Sequence, residues 1–293
     1  MKELVVVSGK GGTGKTTITA SLAALASEPV VADCDVDAPN LHLLLGPKVQ
    51  DTEEFIAANV AVIDPTLCRA CGACELNCRF GAIGSDFVVD SIMCEGCGVC
   101  EVSCPYNAIQ MQERLSGYVY SSKTRFGPMA HALLLAGESN SGKMVTRVRE
   151  LARNLAETTE NELILIDGPP GIACAAIAAI TGSSAGLVVT EPTVPAIHDM
   201  KRVLSLFQHF SIPVMVAINK ADLNPRKSKD IESFCEKKDI PVVGQLPYDP
   251  IMYKAVVAGQ PIIEYNPNHQ LSTDLESLWE RVVQQLNRIS RST

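Results

Sequence analysis

The sequence predicts an α/β fold, a mostly parallel sheet flanked by helices, with a small cysteine-rich insert. Three observations carry this. Short β-rich apolar runs at residues 4–7, 30–32, 163–166, 187–189, 214–218 and 242–243 alternate with segments of helical period. The runs are continuous rather than alternating, as strands buried on both faces read. Eight of the eleven cysteines crowd into residues 68–104 and interrupt the pattern. The expected domains are therefore 1–59 with 114–293, discontinuous, and an insert at 60–113.

Composition narrows the function classes. The chain has 293 residues, with 25 Lys+Arg against 33 Asp+Glu and a net charge of −8. That balance argues against non-specific nucleic-acid binding, which needs a basic footprint. The apolar run at 4–7 is too short for a secretory signal. The nine apolar residues 172–180 fall well short of the ~20 that span a bilayer. The expectation is a cytoplasmic protein without membrane insertion, in which clustered thiols hold metal rather than pair.

The first strand runs directly into Ser8-Gly9-Lys10-Gly11-Gly12-Thr13-Gly14-Lys15-Thr16-Thr17, and a helix follows. The glycines let consecutive N–H groups curl around an anion, and the helix adds its positive end. In this pattern Lys15 reaches the β/γ-phosphates and the Thr16 hydroxyl binds Mg²⁺. Three later strand ends carry polar residues toward the same place. These are Asp33-Cys34-Asp35, then Asp167-Gly-Pro-Pro-Gly171, then Asn219-Lys220-Ala221-Asp222, where Asn219 is positioned to read a purine edge.

The second lysine, Lys10, narrows the family. The loop resembles the deviant Walker A sequence of the MinD/ParA/Mrp P-loop ATPases and of the nitrogenase iron protein, over residues 1–46 and 160–265. The resemblance implies ATP and Mg²⁺ as ligands and a nucleotide-dependent homodimer or closely related heterodimer, with Lys10 reaching the partner's phosphates. It further implies that Asp35 positions the attacking water, Asp33 supports magnesium and Asp167 is the Walker B-like aspartate. Pro247, in Leu246-Pro247-Tyr248-Asp249, lies in the segment that closes over adenine. Asn219 and Asp222 also resemble the guanine-selecting motif of GTPases, which keeps GTP as an alternative.

The insert is an internal repeat. Asp64, Cys68, Cys71, Cys74, Cys78 and Ala82-Ile83 recur 26 residues later as Asp90, Cys94, Cys97, Cys100, Cys104 and Ala108-Ile109. Cys-x₂-Cys-x₂-Cys-x₃-Cys written twice resembles the two-cluster bacterial ferredoxin. That resemblance implies an α+β ferredoxin-like domain with two [4Fe–4S] clusters. Cys68, Cys71, Cys74 and Cys104 would hold one; Cys94, Cys97, Cys100 and Cys78 the other. Arg79 departs from the proline of the pattern, whereas Pro105 keeps it. Zinc is the rival, because four thiolates also make a tetrahedral site.

The remaining features read plainly. Cys34, Cys174 and Cys235 are expected as small packed residues. Gly137-Glu-Ser-Asn-Ser-Gly142-Lys143 imitates a phosphate loop, but Met144 stands where a Ser or Thr would hold magnesium. Leu275, Leu278, Val282, Leu286 and Ile289 have helical spacing without a basic face, which predicts a helix docked on its own domain. Three functions stay open. The first is an ATP-hydrolysing protein coupling nucleotide-driven changes to electron transfer, with a redox partner that docks through a basic patch. The second is an iron–sulfur assembly or carrier ATPase. The third is a positioning ATPase with a redox-sensing insert.

Overall fold

The computed structural model describes residues 1–135, 137–138 and 141–289. From the N-terminus come β1 (Lys2–Ser8), α1 (Lys15–Leu25), β2 (Val30–Asp33), α2 (Leu41–Leu45) and β3 (Lys48–Ile63). The short helices α3 (Ala73–Asn77) and α4 (Val99–Ser103) follow, then the strands β4 (Ile109–Lys123) and β5 (Pro128–Leu134). The chain continues through α5 (Ser141–Thr159), β6 (Leu163–Pro170), α6 (Cys174–Ile180), β7 (Ala185–Thr190) and α7 (Val194–His209). It ends with β8 (Val214–Ile218), α8 (Pro225–Lys237), β9 (Val242–Gln245), α9 (Ile251–Val257), α10 (Ile262–Tyr265) and α11 (Gln270–Ile289).

The strand order is β3-β4-β5-β2-β6-β1-β7-β8-β9. The pairings of β2 with β5 and β6, of β1 with β6 and β7, and of β8 with β7 and β9 are all parallel. Their register puts the strand-end residues side by side: Asp33 pairs with Asp167, and Thr190 with Ile218. In an open parallel sheet the carboxyl ends of the strands are where ligands bind.

The apolar runs are buried on both faces. Leu4, Val6, Val31, Leu165, Leu187, Val189, Met215, Ala217 and Val243 share one core with α1 and α11. Val5, Val7, Ile164, Ile166, Val188 and Val216 are equally buried. Every second residue therefore meets a different helical layer, and no polar alternation is left to see. The α11 stripe Leu271, Leu275, Leu278, Val282 and Leu286 is buried in that core, the docked helix expected from its spacing. No helix of the described residues is long and apolar enough to cross a membrane.

By compactness the chain divides into two units. One comprises Met1–Thr52, Val119–Leu133 and Ser141–Thr293; the other comprises Glu53–Tyr118 and Leu134–Asn140. The second unit is wider than the 60–113 segment read from the cysteines, because β3 and β4 extend beyond it on both sides.

Candidate nucleotide site and paired cysteine cavities

In the first unit β1 ends at Ser8, and the chain turns through the glycine loop into α1. Gly14 sits at φ 90°, and a Cβ there would fall 2.3 Å from Asn219 Nδ2, so the turn has room only for glycine. The loop and α1 line an open pocket together with Asp35, Asn40, Leu43, Leu44, Pro170 and Val256.

Asp167 organises the pocket floor. Its carboxylate lies 2.8 Å from Lys15 Nζ, accepts from Thr16 Oγ1 at 2.7 Å and accepts from Thr19 Oγ1 at 3.0 Å. Lys15 Nζ also lies 3.6 Å from Asp35. Asp33 is buried beside them, accepting from the backbone N–H groups of Asp35 at 3.2 Å and Leu41 at 3.3 Å. Burial alone would lower the Lys15 pKa, but Asp167, Asp35 and Asp33 outweigh it and raise it. Burial and the neighbouring Asp167 both push the Asp33 carboxyl up, more than Lys15 pulls it down. Burial also raises Asp35 against the pull of Lys15. A buried ammonium surrounded by carboxylates, with two hydroxyls, forms a hard-oxygen site suited to a magnesium–polyphosphate pair. Thr16, Asp33 and Asp167 would hold the ion.

Lys10 stands apart from this floor. Its Nζ lies 2.7 Å from Glu191, just beyond β7. Asn219 already makes two hydrogen bonds through its amide. Its Nδ2 donates to Thr13 O at 2.8 Å, and its Oδ1 accepts from Lys220 N at 3.0 Å, so the side chain buttresses the phosphate loop. Asp222 accepts from Tyr248 N at 2.6 Å, which ties it to the segment carrying Pro247. Two contributors, Thr19 and Glu191, escaped the sequence reading, and Lys220 was named only as part of its strand-end segment. Glu191 and Lys220 each follow the end of a parallel strand, the one signal that marked them.

The second unit keeps its repeat in three dimensions. Cys71 and Cys97 are exposed, Cys74 and Cys100 buried, and Cys68, Cys78, Cys94 and Cys104 in between. Gly72 and Gly98 cap α3 and α4 at φ 77° and 74°. Two cavities result. One is lined by Cys68, Cys71, Cys74 and Cys104 with Ile63, Phe87 and Ile109. The other is lined by Cys78, Cys94, Cys97 and Cys100 with Ala61, Ile83 and Met111. The N–H groups of Ala82 and Ala108 point at Cys78 Sγ (3.3 Å) and Cys104 Sγ (3.4 Å), again 26 residues apart. Among the described residues no three His, Cys, Asp or Glu side chains are placed to hold a metal ion.

The three other cysteines divide. Cys34 and Cys235 are buried, and burial pushes both thiols up, Cys235 to about 11. Cys174 is exposed at the start of α6, which corrects the expectation of a packed residue. Met144 is fully buried in α5, so that turn packs against the core. Ser139 and Asn140 of the loop imitation lie outside the described residues.

Comparison with known proteins agrees with the pocket. Residues 4–262 match the family model described as CbiA, the CobQ/CobB/MinD/ParA nucleotide binding domain. The chain is 38% identical over 225 residues to the uncharacterized protein MJ0578 of Methanocaldococcus jannaschii, covering 76% of this chain and 79% of that protein. It is 22% identical over 308 aligned positions to a cytosolic Fe-S cluster assembly factor NUBP1 homolog of Caenorhabditis briggsae, covering 97% and 81%. Its fold resembles the septum site-determining protein MinD of Pyrococcus horikoshii, solved with Mg-ADP, at a TM-score of 0.60 and 18% identity over 98% of both chains. The chain belongs to the CobQ/CobB/MinD/ParA nucleotide-binding family, the MinD/ParA-type P-loop ATPases.

Proposed function

We propose that this protein is an ATP-hydrolysing iron–sulfur protein that couples nucleotide-driven changes to electron transfer through two [4Fe–4S] clusters. The observation that carries the reading is the sorting of eight cysteines into two cavities. Each draws three thiols from one copy of the repeat and one from the other. A single zinc ion needs only four sulfurs at ~2.3 Å from one point; three closely spaced cysteines with a remote fourth, written twice, suit a larger inorganic core. The clusters, when bound, supply one-electron transfer. The chain supplies the thiolates, the apolar walls and the N–H groups that stabilise charge on sulfur.

In the nucleotide pocket Lys15 binds phosphate, Thr16, Asp33 and Asp167 hold magnesium, and Asp35 orients water for attack. Lys10 serves the phosphates of a second copy in a nucleotide-dependent dimer. The redox partner docks through a basic patch, because residues 60–113 hold two arginines against seven acidic residues.

The NUBP1 homolog supports a second reading, iron–sulfur cluster assembly. An EPR-monitored redox titration of anaerobically purified protein, with and without Mg-ATP, separates the two. A nucleotide-dependent potential or partner affinity supports electron transfer. Rapid cluster release to an apo-acceptor, with potentials indifferent to ATP, would instead establish assembly.

A further inference from the structure

Glu191 lies outside every motif of the phosphate site, yet two lysines meet on its carboxylate. Lys10 Nζ is 2.7 Å from Oε1, and Lys220 Nζ is 2.9 Å from Oε2. Lys220 Nζ also donates to Gly12 O at 2.9 Å, so the carboxylate is linked to the phosphate loop through a lysine. Its side chain is 11% exposed. Burial alone would make Glu191 a weaker acid, but Lys10 and Lys220 reverse this and hold it below the usual carboxylate range.

A fixed negative charge beside an anion-binding loop opposes the anion. Here the charge is shared between Lys220 and Lys10, and the Lys10 side chain is not among those lining the nucleotide pocket. An ammonium is a compact charge on a flexible stem, free to exchange one oxyanion for another. To reach a phosphate, Lys10 must therefore give up or share the Glu191 carboxylate.

We propose that Glu191 is a positioning residue for nucleotide binding, holding Lys10 in reserve and bracing Gly12 through Lys220. Lys10 is then delivered only to an anion that competes successfully with a carboxylate, which favours a triphosphate over a diphosphate. This rests on the reading that the loop binds nucleotide with Lys10 in attendance.

The test measures Mg-ATP and Mg-ADP affinity by calorimetry for the wild type, E191Q, K10A and the double variant, at low and moderate salt. E191Q is expected to tighten Mg-ATP roughly two- to tenfold and to tighten Mg-ADP as well, narrowing the discrimination between them. The gain should vanish in the Lys10→Ala background, and Glu191→Asp, which keeps the charge, should stay near wild type. Melting curves identify any variant that loses its fold; should E191Q do so, K10A carries the comparison, since it is expected to lose the preference for Mg-ATP over Mg-ADP and an unchanged preference would overturn the inference. Equal effects of E191Q with and without Lys10, or weaker ATP binding in E191Q, would overturn the inference while leaving nucleotide binding intact. A wild-type chain that binds no Mg-ATP would overturn the nucleotide reading, and the inference with it.

Discussion

Asp167 accepts from one lysine and two hydroxyls at once, so three side chains of the pocket depend on a single carboxylate. Replacing Lys15 with Ala should weaken Mg-ATP binding roughly 10- to 100-fold, the scale of a lost charge-assisted contact. Asp167→Asn should leave a folded protein whose ATP turnover falls roughly a hundredfold. Binding calorimetry and a phosphate-release assay check the two. At this scale the sequence was legible where the backbone itself makes the site, as in the loop from Gly9 to Thr17. It was less legible where a side chain chooses between partners. Asn219 stands at the strand end where a base reader belongs, and the sequence did not show that its amide also bonds Thr13 O and Lys220 N. Nothing in Thr190-Glu191-Pro192 announces which lysine the carboxylate will meet.

Strands were readable where a continuous apolar run marked them, and β5, whose Met129, Ala130 and Ala132 are buried but whose run is broken by His131, was missed. β1, β2, β6, β7 and β8 are apolar through their cores because helices cover both faces, and each was visible as a run. β3 and β4 were not, because most of their residues are exposed or half-buried and mix charge with apolar side chains. The cysteine-bearing helices were legible through their 26-residue spacing instead. That spacing makes a sharp prediction about ligand exchange between the copies. Cys78→Ser should empty the cavity it shares with Cys94, Cys97 and Cys100, lowering iron from about eight to about four per chain and leaving the other cluster's EPR signal. Loss of the signal expected from Cys68, Cys71 and Cys74 would contradict the crossed assignment. In α11, Leu278→Ala removes a fully buried side chain packed on Gly244 and should cost about 2–5 kcal/mol in denaturant unfolding.

Over the whole molecule, Glu3 ties the N-terminal strand to α5 and, through it, to α6. It meets Arg149 and Arg153, and Arg149 also donates to Ala178 O at 2.7 Å and to Thr181 O. Burial alone would raise the Glu3 pKa, yet the two arginines lower it. Stability from this group is thus present above the ordinary carboxylate pKa and is lost as pH falls through the folded value. Thermal melts should therefore decline in acid, and Glu3→Gln should lower the melting temperature at pH 7 while flattening that decline. The duplicated unit shows what tandem copying leaves behind. Ala70 and Gly96 occupy matching positions with φ 51° and 64°, but only at Gly96 would a Cβ strike backbone, 2.4 Å from Asn59 O. The halves share a plan and have different neighbours. An engineer who transplanted the first copy into the place of the second would carry Ala70 into that contact, so the two modules are no longer interchangeable parts.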